Sequence, residues 1–271
     1  MDRDVIVAAV QMNSTGGHAT NCETAERLVR DAAAQGAELI ALPELFAYIA
    51  TYSEMVSRAE PLDGPVATQF SRLARELGVF LLAGSICEST SPGRAANTSL
   101  LFDPDGHRIA TYRKIHLFEV DMEGQVVIDE SKHFDAGDQV SVVETAVGRI
   151  AQSICYDLRF PELFREFASR NADIAVLPSA FTQTTGRDHW QTLIQARAIE
   201  NQMFLIAPNQ VGSHNDQFQS YGHSLIVDPW GDILAEATQG HAQAIVAKLD
   251  FDRLNSVRTR LPVLKNRKHF Y

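Results

Sequence analysis

The sequence predicts an α/β protein, a four-layer α-β-β-α sandwich built from two pseudo-symmetric halves. Three observations point there. Short apolar runs alternate with longer helical patterns, as expected of strands joined by helical crossovers. The order of elements in the first half returns in the second. The return is also visible in letters. AELIALPELF (Ala37 to Phe46) lies over ADIAVLPSAF (Ala172 to Phe181), and GVFLLAG (Gly78 to Gly84) resembles QMFLIAP (Gln202 to Pro208). The turn Asp103-Pro104-Asp105-Gly106 answers Asp228-Pro229-Trp230-Gly231. Each half gives a sheet with helices on one face, and two bare sheet faces can bury each other.

In chain order, Asp4 to Met12 is an apolar run that fits a buried strand. Asn21 is placed to cap a helix from about Cys22 to Gln35, which Gly36 ends. Glu38 to Leu42 reads as a second strand, stopped by Pro43-Glu44-Leu45-Phe46, and a loop with Tyr48, Tyr52 and Met55 follows. Pro65 opens a helix through Leu77, and Val79 to Ser85 is a third strand. Asn97 to Phe102 and Arg108 to Tyr112 flank the first Asp-Pro turn as a hairpin. The second half then runs through a strand at Arg149 to Ile154, a helix at Pro161 to Arg170 and a strand at Asp173 to Leu177. A helix at Asp188 to Asn201 and a strand at Met203 to Ala207 follow. Ser224 to Val227 and Ile233 to Ala235 form the second hairpin, Ala242 to Leu249 a last strand, and Asp250 to Leu261 a short helix. Residues 1–250 are taken as one domain, with 251–271 as a C-terminal helix and tail.

Composition narrows the function. The chain has 271 residues, 45% hydrophobic and 21% charged, enough for a sizeable core without crosslinks. Cys22, Cys87 and Cys155 are too few and too scattered for a disulfide framework, and no CxxC pair suggests zinc. The start MDRDVIVAAVQMN has neither the length of a membrane span nor the parts of a signal peptide, so a reducing, cytoplasmic setting is expected. A net charge of −10 argues against nucleic acid or an anionic membrane as partner. A small-molecule enzyme or a protein-binding module remains.

Ligands of open α/β sheets bind beyond the carboxyl ends of strands. Glu44 and Cys155 both stand beyond predicted strand ends, one in each half, and Lys114 follows the tail of a hairpin strand. A thiol nucleophile needs a base to take its proton and a cation or N–H donors for the oxyanion. A carboxylate, an ammonium and a thiol supply those parts. Each has a plainer reading: a packed cysteine, a capping glutamate, a surface lysine.

Three segments carry a resemblance that decides between these readings. LPELF around Glu44, YRKIHLF around Lys114 and ICYDLRFPELFR around Cys155 are similar, in order and spacing, to the signature segments of the nitrilase (carbon–nitrogen hydrolase) superfamily. KIHLFEVD, DES, SAFTQTTGRDHW, QARAIENQ and YGHSLIVDPWG resemble its Nit branch of amidases, the ω-amidase and deaminated-glutathione-amidase kind. The resemblance implies a thiol-dependent amidase that passes through a cysteine thioester. Glu44 would be the general base and Cys155 the nucleophile. Lys114 and the Tyr156 N–H would hold the oxyanion. Glu130, of Asp129-Glu130-Ser131, would position Lys114 and the substrate amide, with Asp129 and Glu123 left as solvated charges. Neither metal nor organic cofactor is required.

The substrate would be a small amide bearing a carboxylate, cut at its terminal amide to acid and ammonia. Arg159 would grip the carboxylate, although a salt bridge to Glu162 or Glu166 is its plainer role. Phe181, Thr185 and Tyr48 would line the pocket. Alternatives are an aliphatic amidase, nitrilase or N-carbamoyl hydrolase of the same superfamily. His189 and His223 read as structural, one beginning a helix and the other preceding a strand. The resemblance also implies a homodimer or larger homo-oligomer, joined through Pro161 to Arg170, Asp188 to Asn201 and the tail Leu261 to Tyr271.

Overall fold

The computed structural model describes residues 4–122, 126–216, 218–238 and 240–268. Glu123 and the last three residues of the tail lie outside this set. In the first half, β1 (Val5–Gln11), α1 (His18–Ala34), β2 (Leu39–Ala41), α2 (Tyr52–Ser57), α3 (Pro65–Leu77) and β3 (Phe80–Leu82) follow one another. Next come β4 (Ile86–Ser91), β5 (Arg94–Phe102) and β6 (Arg108–Arg113), then the small hairpin β7 (Glu119–Met122) and β8 (Val126–Asp129). The second half holds β9 (Val142–Thr145), β10 (Gly148–Gln152), α4 (Pro161–Ser169), β11 (Ile174–Val176), α5 (Gln183–Asn201) and β12 (Phe204–Ala207). It ends with the hairpin β13 (Val211–Ser213) and β14 (Gln219–Tyr221), then β15 (Leu225–Val227), β16 (Ile233–Glu236) and β17 (Gln243–Leu249). The helices α6 (Phe251–Arg260) and α7 (Val263–Asn266) follow.

Two sheets result. One runs β17-β1-β2-β3-β5-β4, with β6 also on β5; the other runs β16-β15-β12-β11-β10-β9. Each has three parallel central strands, β1-β2-β3 and β10-β11-β12, flanked by antiparallel ones. The strand pleat sends successive side chains to opposite faces. Val5, Val7, Ala9, Leu39 and Ala41 therefore meet Ile150, Ile174, Val176, Phe204 and Ile206 between the sheets. Their neighbours Ala8, Val10 and Ile40 face α1 and α3. Ala151, Ala175 and Leu205 face α4 and α5. Three apolar interfaces thus separate four layers, and the predicted sandwich is the one observed. Among the described residues no helix is long and apolar enough to cross a membrane.

Several boundaries move for identifiable reasons. α1 begins at His18, so Asn21 lies inside it. Its amide donates to the carbonyls of Thr15 and Ala47 and ties the loop after β1 to the loop after β2, instead of capping the helix. α5 begins at Gln183, not Asp188, which places His189 well inside the helix. Gly186 in its first turns is needed because a Cβ there would meet the Tyr221 Cβ at 2.4 Å and its ring at 2.6 Å. The strand β4 and both small hairpins, β7–β8 and β13–β14, were not anticipated.

Candidate active site

The ends of β2, β6 and β10 converge on one cavity. Pro43 stops β2 and delivers Glu44, which is 2% exposed. The turn is tight: Gly84 sits at φ +42° where an added Cβ would meet the Pro43 carbonyl at 2.0 Å, so only glycine fits beneath it. Lys114 directly follows β6 and is 1% exposed. Its backbone is fixed on both sides, with its N–H donating to Asn97 O and its carbonyl accepting from Gly137 N. Glu130 opens a short 3₁₀ turn after β8, capped by Asp129. Cys155 opens another after β10, at φ +45°, a backbone region that costs a non-glycine residue free energy unless its surroundings hold it.

The side chains form one cluster. Lys114 Nζ lies 3.0 Å from Glu44 Oε1 and 3.0 Å from Glu130 Oε2. Asn97 Nδ2 also donates to Glu44 Oε1 at 2.8 Å, and the Ala180 N–H donates to Glu44 Oε2 at 2.8 Å. The Phe118 N–H donates to Glu130 Oε2 at 2.7 Å. Burial alone would lower the Lys114 pKa, but Glu130 and Glu44 together hold it well above the ordinary lysine value. Burial raises the Glu130 carboxyl, with Lys114 pulling the other way. The Cys155 thiol is pushed well up, first by burial and then by the charge of Glu44, against the pull of Lys114 and the Ala180 N–H. Burial and the Glu44 charge thus favour the neutral thiol, and the two neighbouring glutamates favour the charged lysine. The Tyr156 N–H, in the first turn of its 3₁₀ helix, has no acceptor among the described residues.

Above this floor lies a cavity of about 270 Å³, near the lower end of small-molecule sites at roughly 300 Å³. Its wall is apolar at Leu45, Ile49, Met55 and Phe218, and polar at Thr182, Thr185 and Gln219. Arg159, Phe181 and Thr185 line it as expected. The Arg159 guanidinium lies over the Phe181 ring at 5.1 Å and 3.3 Å from His189 Nδ1. Among the described residues it makes no salt bridge, so Glu162 and Glu166 do not hold it; Glu166 pairs with Arg170.

Tyr48 is a correction. It faces a separate small hollow with Arg58 stacked at 4.9 Å on its ring, while Tyr52, four residues on, enters the cavity. The helix α2 causes this. A capping box between Thr51 and Glu54 turns Tyr52 inward, against His133, Phe134 and Phe218. Asn97, read from the sequence as structural, touches Glu44 directly. His214 and the β13–β14 hairpin also line the cavity. The other cysteines stand apart: burial pushes Cys22 to about 11 and Cys87 to about 12.

A thiol, a carboxylate side chain, a fixed cation and a free N–H thus surround one cavity. The carbon–nitrogen hydrolase family profile matches residues 6–259, and the chain belongs to that family. It is an enzyme acting on carbon–nitrogen bonds other than peptide bonds, within the Nit branch of the nitrilase superfamily. It is 40% identical over 266 residues to the deaminated glutathione amidase of Synechocystis sp. (strain PCC 6803 / GT-S), covering 97% of each chain. To the human omega-amidase NIT2 it is 36% identical, covering 97% of this chain and 94% of that one. The crystal structure of the C. elegans NitFhit protein superposes with a TM-score of 0.92 at 36% identity, over 98% of this chain and 65% of that longer one.

Proposed function

We propose that Cys155 is the nucleophile of an amidase that cleaves the terminal amide of a small carboxylate-bearing substrate, of the 2-oxo-acid amide or deaminated-glutathione type. The observation that carries this is the meeting of thiol, Glu44 and Lys114 in one buried cluster beneath a cavity walled by Arg159. Glu44 takes the thiol proton as the sulfur attacks the amide carbon. The oxyanion is held by the Lys114 ammonium and the Tyr156 N–H. Glu44 then gives its proton to the leaving nitrogen, and ammonia (an amine, for a deaminated-glutathione-type substrate) departs as the thioester forms. Water, deprotonated by Glu44, attacks next, and the acid leaves as the thiol is restored. Glu130 keeps Lys114 charged and aimed, and Arg159 binds the far carboxylate.

The relatives' names support both substrate types. Ammonia release is to be screened across 2-oxo-acid amides, deaminated glutathione (with assay of the released amine), N-carbamoyl amino acids, aliphatic amides and nitriles. Preference for a neutral aliphatic amide or a nitrile over every carboxylate-bearing compound overturns the substrate class.

We further propose a cytoplasmic homodimer at least. Its contacts are placed on α4, α5 and the segment after α6, where Ile199, Leu261 and Val263 are exposed. Residues 251–271 are placed in that interface, although Phe251, Leu254 and Val257 of α6 also pack into the core between the sheets. Light scattering that finds a monomer at working concentration defeats this.

A further inference from the structure

The turn carrying Cys155 is tied to the segment carrying Lys114 by a carboxylate with no part in the chemistry above. Asp157 is fully buried, two residues past the thiol. Its Oδ2 accepts the Tyr112 hydroxyl at 2.7 Å and the Ile154 N–H at 2.8 Å. Its Oδ1 accepts the His116 N–H at 3.1 Å and His116 Nδ1 at 2.7 Å, which makes Nδ1 the protonated nitrogen. Among the described residues no lysine or arginine pairs with it, and four donor groups converge on its two oxygens. Tyr112 and His116 lie two residues before and two after Lys114. Ile154 directly precedes Cys155. The His116 ring is clamped in turn by Phe160, with ring centroids 3.7 Å apart and the planes 6° from parallel. Phe160 closes the same 3₁₀ turn that Cys155 opens.

This network spans the two groups that must face each other across the substrate carbonyl. Hydrogen bonds to a charged acceptor are the stronger kind, and a fully satisfied buried network is rigid. It also surrounds a turn that begins at positive φ, where the backbone needs outside support. It does not set the charge on the thiol, which burial, Glu44, Lys114 and the Ala180 N–H govern. The geometry points to Asp157 as a positioning residue: acting through His116 and Tyr112, it fixes the separation of the Cys155 thiol and the Lys114 ammonium for attack on an amide carbonyl. This rests on Cys155 being the nucleophile.

Asp157→Asn is the direct test. An amide has one acceptor oxygen, and its NH₂ would face two donors. The variant is compared with wild type, Tyr112→Phe, His116→Ala, Cys155→Ala and the double variant Asp157→Asn/His116→Ala. The readouts are kcat and KM on an amide that wild type turns over, the alkylation rate of Cys155 by iodoacetamide, and thermal unfolding. Asp157→Asn is expected to lose kcat on the order of 100-fold, the scale of a misplacement of about 1 Å. KM and the alkylation rate stay near wild type, and the double variant is no slower than Asp157→Asn. Wild-type kcat in Asp157→Asn, losses that simply multiply in the double variant, or a loss that follows the unfolded fraction overturns the proposal. If Asp157→Asn does not fold, Tyr112→Phe and His116→Ala decide. A kcat loss at unchanged KM in both supports it, and wild-type kcat in both defeats it. Turnover by Cys155→Ala defeats the nucleophile reading instead, so the two failures are told apart.

Discussion

Glu44→Gln separates base from scaffold, because on the proposed mechanism the glutamate serves as both. Its Oε1 accepts from Asn97 at 2.8 Å and from Lys114 at 3.0 Å, and its Oε2 accepts from Ala180 N at 2.8 Å. Glutamine keeps one acceptor oxygen. If that oxygen stays toward Asn97 and Lys114, the new NH₂ faces the Ala180 N–H and one buried donor loses its partner. That costs about 1–3 kcal/mol. Lys114 keeps Glu130 at 3.0 Å, so the ammonium is not left bare and the protein folds. Turnover falls much further, by about 10⁴-fold, the upper range for a general base. The thiol moves the opposite way to the activity. The charge of Glu44 is the second cause, after burial, of the raised Cys155 pKa, so removing it makes the thiol more acidic. Thiolate absorbance followed against pH is expected to rise at lower pH in Glu44→Gln than in wild type, in a protein that has stopped turning over. Retention of a tenth or more of the activity refutes the base assignment. A thiolate that appears only at higher pH refutes the electrostatic account of the site.

Three further outcomes are expected. Cys155→Ala abolishes ammonia release while circular dichroism and thermal midpoint stay close to wild type, since the change removes a single sulfur from the edge of the core of the second half. Arg159→Ala lowers kcat/KM for carboxylate-bearing amides by about 10- to 100-fold, the value of a charged hydrogen-bonded contact of about 1.5–3 kcal/mol. Neutral amides change little, and equal losses for both remove Arg159 from carboxylate recognition. Stability falls at alkaline pH. Burial raises Cys22 from 9.0 to about 11 and Cys87 from 9.0 to about 12, so unfolded thiols ionise first. Their contribution is complete below about 9 and is lost as pH climbs through 11 and 12. In urea titrations at pH 8 and pH 10, Cys22→Ala is expected to show a smaller drop than wild type.

The central strands were legible because a parallel strand buried on both faces is an uninterrupted apolar run, and Pro43, Pro178 and the Asp-Pro turns mark where such runs stop. The strand-end position of Glu44 and Cys155 followed from that. The walls of the cavity were less legible. The hairpins β7–β8 and β13–β14 are short, mixed in polarity and packed over the site, so no clean alternation marks them, although Asn215-Asp216 between Val211-Gly212-Ser213 and Phe218 onward was a turn signal. What separates Tyr52 from Tyr48 was a readable feature, Thr51-Tyr52-Ser53-Glu54, whose first and last residues make a capping box. TQTTG opens α5 although the match between the halves put it in a loop, and Gly186 is required there by the Tyr221 side chain, a contact no local pattern encodes. The role of Asn97 beside Glu44 is likewise tertiary, since fifty-three residues separate the bonded pair.

The strand registers explain why a duplicated fold carries one site and not two. Val7 pairs with Leu39 in the first half as Ile150 pairs with Ile174 in the second, and Leu39 matches Ile174 in the repeated letters. Continuing along β1 and β10, the position equivalent to Cys155 is Met12. Continuing along β2 and β11, the position equivalent to Glu44 is Ser179. Both counterparts are fully buried, and the Ser179 hydroxyl is used on the Leu177 carbonyl. Each half therefore gives one reactive strand end and one inert one. The Ala180 N–H, directly after the inert Ser179, donates to Glu44 across the sheet–sheet interface. The distance between the proposed base and nucleophile is then set by how the two sheets pack, since neither half holds both groups. Substitutions at the interface between the sheets, such as Val176→Ala or Ile206→Ala, act on that distance as well as on stability. Their loss of turnover should exceed what their unfolded fraction accounts for, whereas Leu73→Ala, on α3 behind the first sheet, should lose activity only in step with folding.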